Sequence, residues 1–150
     1  MISENTEIYN VMIEKIANLT HEKFRKIYQE VNNGTRVKIT KDEAWIKQYS
    51  TDQADLAKLN YFGLPSDWQK ERWFGAKMAL DVLLETVKSG KLLNEEFIER
   101  ASDMVHQEWL DRNFNRAENE HKLSYKELSE EAKEKDRIFV RSAIEIFETK

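Results

Sequence analysis

The sequence predicts an all-α protein, and three observations lead to that prediction. One proline and four glycines in 150 residues favour long helices, because these two residue types end or break helices. Apolar residues recur at three- and four-residue steps along much of the chain, as they do on one face of a helix. The stretch from Trp45 to Leu83 also matches the chain 64 positions further on. We therefore expect an N-terminal helical segment followed by two pseudo-symmetric helix–loop–helix repeats.

The internal match needs no gap and rests on large apolar anchors. Six of the forty positions from Trp45 to Leu84 are identical to their counterparts, and many others are conservative. The anchor pairs are Trp45 with Trp109, Leu59 with Leu123, Tyr61 with Tyr125, Leu64 with Leu128 and Ala79 with Ala143. Such self-similarity is the usual sign of a duplicated structural unit. We assign residues 1–35 to the helical segment, 36–90 to the first repeat and 91–150 to the second, all within one compact unit.

The first half of the chain supplies the expected elements in order. Residues 8–31 carry an apolar stripe of helical period, either as one helix or as two that meet near Leu19. Residues 36–39 alternate as a short extended piece does. Thr40 to Glu43 fits a capping box that opens a short helix with Trp45. A polar connection follows, with a helical turn near residues 53–58, and Pro65 then suits the start of a long amphipathic helix.

The second half repeats this order. Asn94 is suited to cap a helix that contains Trp109, with acidic residues in its first turn, where the helix dipole favours them. Residues 114–122 form a polar connection. Ser129 then caps the final helix, which runs to the end of the apolar pattern near Phe147.

Composition excludes several classes of function. The net charge is −4 and the charges are dispersed, which argues against binding to the backbone of polymeric nucleic acid. No cysteine is present, so thiolate chemistry and disulfides are excluded. The three histidines lack metal-ligand spacing, and no catalytic template is recognisable. The start of the chain lacks signal-peptide features, and no apolar run is long enough to span a membrane. We therefore expect a cytoplasmic protein without metal, cofactor or catalytic residues.

The paired aromatic residues are the most informative feature. Trp45 and Trp109 each precede the loop of their repeat, whereas Tyr61 and Tyr125 each follow it. Two flat indole faces related by pseudo-symmetry can hold a planar ring between them. The alternative is that both tryptophans belong to the core, since buried aromatic residues are common.

The second copy resembles a known module. The segments Val105 to Trp109, Leu123 to Leu128 and Glu134 to Arg137 are similar to the RyR repeat. That module is named for the ryanodine receptor and also occurs in small bacterial and bacteriophage proteins. The first copy keeps Trp45 but has Asp42 where the second has His106, and both copies lack the Gly-Trp-x-Tyr-Gly loop of the family. The segment from Leu64 to Gln69 is similar to proteins common in phage genomes.

The resemblance implies a function. Paired RyR repeats bind an adenine nucleotide between their two tryptophans, here Trp45 and Trp109. A free-standing phage copy would sequester an adenine-containing immune signal, of the cyclic ADP-ribose or cyclic nucleotide type, in the host cytoplasm. The implied polar contacts come from Arg112, Arg116, Arg137, His106 and Asp136 in the second copy, with Lys47, Gln48 and Arg72 near the first. Each has an alternative role. The arginines could form surface salt bridges, His106 could serve helix packing, and Asp136 could make a capping contact.

Two other functions stay open from the sequence. One is a helical structural or regulatory module that binds another protein or a second copy of itself. In that case both tryptophans are core residues. The other is a nucleotide-cleaving enzyme, which the absence of a nucleophile or metal constellation disfavours.

Overall fold

The computed structural model describes residues 6–31, 33–114 and 122–149. Within these ranges helices dominate, and the β-structure is one antiparallel pair of short strands. The all-α prediction is therefore confirmed, with a small sheet added to it. No helix in the described ranges combines the length and apolar character that crossing a membrane requires. The elements are α1 (Thr6–Val31), β1 (Val37–Ile39), α2 (Glu43–Tyr49), β2 (Gln53–Asp55), α3 (Ser66–Lys88), α4 (Glu95–Asn113) and α5 (Glu130–Glu148).

The four long helices share one hydrophobic core. Helices α3 and α5 pack against each other, and α1 and α4 each pack against both of them. The pair α3 and α5 is therefore the centre of the bundle, with α1 and α4 on its flanks. Fully buried side chains come from every long helix, and burying one of this size contributes about 1.5–3 kcal/mol. They include Ile13 and Ile16 of α1, Leu80 and Leu83 of α3, Phe97 of α4 and Val140 of α5.

Helices α3 and α5 approach closely at Gly75. The ring of Phe139 packs directly on this glycine, and a β-carbon at position 75 would lie 2.5 Å from it. The same ring meets Phe24 of α1 edge-on, with the ring centroids 5.8 Å apart. A side chain at position 75 would push α5 away, so glycine is required for contact here rather than for an unusual backbone angle.

The segment between α1 and α3 differs in detail from the prediction. Residues 53–55 form strand β2, paired with β1, instead of a helical turn. The capping box at Thr40 is also wrong. Asp42 is the N-cap of α2 and accepts a hydrogen bond from the Trp45 N–H at 3.2 Å. The Thr40 hydroxyl instead donates to Asp67 of α3 at 2.6 Å, a partner that is distant in sequence.

Two matching 3₁₀ turns, Tyr61–Gly63 and Tyr125–Glu127, lead into the central helices. The Leu64 N–H donates to the Tyr61 carbonyl at 3.2 Å, and the Leu128 N–H donates to the Tyr125 carbonyl at 3.1 Å. The 64-residue offset therefore pairs these two turns with each other. Upstream of Leu59 it pairs residues in unlike elements, because Trp45 lies in the short helix α2 between two strands, whereas Trp109 lies near the end of the 19-residue helix α4.

Candidate functional site

Two buried histidines, His21 and His106, each form a hydrogen bond with a backbone carbonyl just before one of the two 3₁₀ turns. His21 Nε2 lies 2.8 Å from the Leu59 carbonyl oxygen, and His106 Nε2 lies 2.7 Å from that of Leu123. A carbonyl oxygen only accepts, so Nε2 carries the proton in each ring. The residue that matches His106 by contact is thus His21 of α1, and not Asp42.

The Nδ1 atom of one histidine lies next to a basic side chain, and that of the other lies next to an acidic one. Arg72 Nε donates to His21 Nδ1 at 3.2 Å, whereas an Asp136 carboxyl oxygen lies 3.6 Å from His106 Nδ1. Positions 72 and 136 are 64 apart, so the internal match places a cation in one copy where the other has an acid. The neighbouring pair is also inverted, since Glu71 corresponds to Lys135.

Arg72 is a buried guanidinium without an acidic partner. It is 8% exposed, its Nη2 lies 3.4 Å from the Tyr28 hydroxyl, and its carbon lies 4.6 Å from the centroid of the Phe24 ring. No carboxylate of the described residues lies within ion-pair distance of it. Burial, followed by the Arg72 charge, lowers the pKa of His21 to about 4. His21 is therefore neutral at pH 7.

Asp136 has the reverse character. Burial raises the pKa of its carboxyl group to about 8; the charge of Asp103 adds to this effect and that of Lys135 opposes it. Asp136 is therefore mostly protonated at pH 7 and is a potential hydrogen-bond donor. A mostly protonated Asp136 does not form a full ion pair with His106, whose Nδ1 lies 3.6 Å from a carboxyl oxygen of Asp136.

A cleft of about 500 Å³ is lined in part by Arg72, His106 and Asp136. Its volume is within the size range of small-molecule sites. Residues of α1, α3, α4, α5 and the β1 segment line it. Its aromatic lining is Phe24, Tyr28, Trp68, Trp109 and Phe139; its charged lining is six basic residues, Arg36, Lys38, Lys41, Arg72, Arg112 and Lys135, and three acidic ones, Asp67, Glu71 and Asp136. The cleft is thus cationic in a protein whose net charge is −4.

The β1 segment is fastened to the start of α3. Asp67 accepts from the Thr40 hydroxyl at 2.6 Å and from the Lys41 N–H at 2.9 Å. The Trp68 indole N–H donates to the Ile39 carbonyl at 3.0 Å. These bonds set the orientation of the Trp68 ring at the rim of the cleft.

Five of the residues expected from the sequence line the cleft: Arg72, His106, Trp109, Arg112 and Asp136. The His106 and Trp109 rings are nearly parallel, with an interplanar angle of 13° and centroids 6.1 Å apart. Arg112, however, is held by Glu71 at 2.6 Å and by Glu108 at 2.5 Å. Its charge is therefore already neutralised.

The other expected residues lie elsewhere. Trp45 packs on Tyr49 within α2, with ring centroids 4.7 Å apart, and does not line the cleft. Tyr61 and Tyr125 are buried in the bundle. Arg137 is paired with Glu99 at 2.7 Å and with Glu130 at 3.1 Å. Arg116 lies outside the described residues.

Sequence reasoning missed much of the cleft. Trp68, rather than Trp45, is the second tryptophan that lines it. The offset of 64 positions carried a usable signal, because it pairs Arg72 with Asp136 and Gly75 with Phe139, and all four line the cleft. No sequence pattern marked Tyr28 and Arg36 as cleft residues, because their position depends on how α1 and the β1 segment pack on the bundle.

No family model matches the chain, and no curated protein or solved structure is significantly similar to it.

Proposed function

We propose that the protein is a non-enzymatic binding protein for a small nucleotide, held in the cleft between α3, α4 and α5. The observation that carries this proposal is the combination of two tryptophans with an excess of positive charge in one cleft. A planar base stacked on an aromatic side chain gains ~1–3 kcal/mol. Basic side chains supply the partners for its phosphates.

The two walls of this site differ from those expected from the sequence. Trp109 is retained, and Trp68 takes the place expected for Trp45. The sandwich between Trp45 and Trp109 is therefore not part of the proposal. His106 and Asp136 contribute polar atoms at the α4–α5 side, where a protonated Asp136 donates to an acceptor of the ligand.

The resemblance to the RyR repeat and to phage-encoded segments supports an adenine-containing immune signal as the ligand. In that role the protein binds and sequesters the signal in the cytoplasm of the host, and affinity alone is sufficient. The choice of adenine rests on the resemblance.

Isothermal titration with a panel of cyclic and linear nucleotides tests the proposal. We expect a saturable ligand in the panel and a loss of affinity of at least about five-fold in Trp109→Ala and Trp68→Ala, from the stacking energy. Trp45→Phe is the matched control, because Trp45 lies outside the cleft and its indole N–H has no hydrogen-bond partner.

Three outcomes would contradict the proposal. Equal affinity of the parent and both cleft variants would place the ligand elsewhere. Recovery of cleaved rather than intact nucleotide after heat release would replace binding with hydrolysis. If no nucleotide binds and the chain self-associates through a helix face, the interaction module is the better account.

A further inference from the structure

Not all positive charges in the cleft are alike. Arg112 has two carboxylate partners within ion-pair distance, and Arg137, outside the cleft, also has more than one. Both therefore act in holding helices together. The cations without such partners are the ones that a bound anion would stabilise.

Among the described residues, four basic residues of the cleft lack an acidic partner within ion-pair distance: Arg36, Lys41, Arg72 and Lys135. Three of them, Arg36, Arg72 and Lys135, also act on one another electrostatically. Arg72 is buried and bonded only to neutral groups, His21 and Tyr28. Arg36 lies with its guanidinium carbon 5.7 Å from the centroid of the Tyr28 ring, and its Nε is buried without a hydrogen-bond partner. Lys135 of α5 lines the same cleft.

The three charges lie close enough to repel one another. Burial, followed by the charge of Arg36 and more weakly that of Arg72, lowers the pKa of Lys135. Arg36 likewise contributes to the lowered pKa of Arg72, of which burial is the main cause. Glu71 and Glu131 partly offset this repulsion, and an anion bound among the three cations would offset it further.

We propose that Arg36, Arg72 and Lys135 form a subsite for a phosphate group with two or more negative charges. A buried guanidinium with free donors and a second orphaned guanidinium N–H present hydrogen bonds as well as charge. Asp136, the next residue of α5, lines the cleft beside His106 and takes an uncharged part of the ligand. The ligand thus enters with its phosphate toward Arg72 and its neutral edge toward Asp136.

This subsite deepens the proposed nucleotide-binding function and rests on it for the identity of the full ligand. It also makes a claim that can be tested without a nucleotide. Inorganic pyrophosphate carries the required charge and lacks a base, so it probes the three cations alone.

The test titrates pyrophosphate into the full-length chain and its variants by calorimetry at low ionic strength. We expect saturable binding that weakens as salt is added, because exposed charges are screened. Lys135→Gln and Arg36→Gln should each weaken binding about five- to ten-fold, as for one lost charged hydrogen bond. Lys91→Gln is the matched control, since it removes the same charge from an exposed position outside the cleft.

Arg72→Met should abolish pyrophosphate binding, provided that its helical circular dichroism matches that of the parent. Because this variant also removes a bond to His21, the two glutamine variants decide the proposal. They should melt at or above the temperature of the parent in the absence of anion, because each relieves repulsion.

The proposal is overturned if pyrophosphate does not bind, or if Lys135→Gln and Arg36→Gln bind it as tightly as Lys91→Gln does. Failure of the nucleotide hypothesis looks different. In that case pyrophosphate binding depends on the three cations, but no nucleotide binds more tightly than pyrophosphate and Trp109→Ala has no effect.

Discussion

Arg72 donates its Nε–H to Nδ1 of His21 across 3.2 Å, so a buried cation is held by a neutral imidazole instead of a carboxylate. The other nitrogen of the same ring donates to the Leu59 carbonyl. The histidine therefore connects α1, the loop before the first 3₁₀ turn and α3. This arrangement leaves the charge of Arg72 available to the cleft.

Acid should destabilise the protein through His21. Its pKa in the folded state is about 4, below the ordinary value of 6.5, so the unfolded chain takes up a proton that the folded chain does not. The stabilising contribution is fully present above pH 6.5 and is lost as the pH falls toward 4, by about 2–3 kcal/mol in all. Urea unfolding at a series of pH values measures this loss.

His21→Gln is the control, because its amide can donate to Leu59 and accept from Arg72. The unfolding free energy of the parent relative to this variant should fall by about 2–3 kcal/mol as the pH falls from 6.5 to 4. A constant difference over that range would show that His21 is not held neutral.

Asp136 should act in the opposite direction. Burial raises the pKa of its carboxyl group to about 8, so the folded chain holds a proton that the unfolded chain releases. Stability is therefore lost as the pH rises from about 4 to 8. Asp136→Asn cannot ionise and should stabilise the protein at pH 8 by roughly 1–3 kcal/mol relative to the parent. At pH 4 the two proteins should unfold at similar urea concentrations, and an equal gain at both pH values would refute the assignment.

Gly75→Ala should destabilise the bundle. In a helix interior this substitution usually gains about 0.5–1 kcal/mol, but here the new methyl group meets the Phe139 ring at 2.5 Å. Overpacking of this kind costs about 1–3 kcal/mol. Thermal unfolding of the double variant with Phe139→Leu supplies the control, since the smaller side chain should recover part of the loss. A stabilised single variant would mean that the two helices are further apart.

Much of the fold was predictable because it depends on local pattern. The helical period of residues 8–31 and the caps Asn94 and Ser129 led to elements that the structure contains. The matched anchors Tyr61 and Tyr125 each begin a 3₁₀ turn. Upstream of Leu59 the internal match aligned residues that do not correspond in the structure, because the small sheet and α2 lie between α1 and the first 3₁₀ turn. A gapless comparison consequently paired Asp42, and not His21, with His106.

The amino-acid sequence by itself determined that the chain forms long amphipathic helices and carries related turns before α3 and α5. Only the tertiary structure decided which charges are free to bind. Arg112 and Arg137 are neutralised by Glu71 and Glu99, which are far from them along the chain, while Arg72 meets only His21 and Tyr28. Whether a charge is neutralised depends on distances of a few ångströms between helices, and no local pattern of residues records those distances.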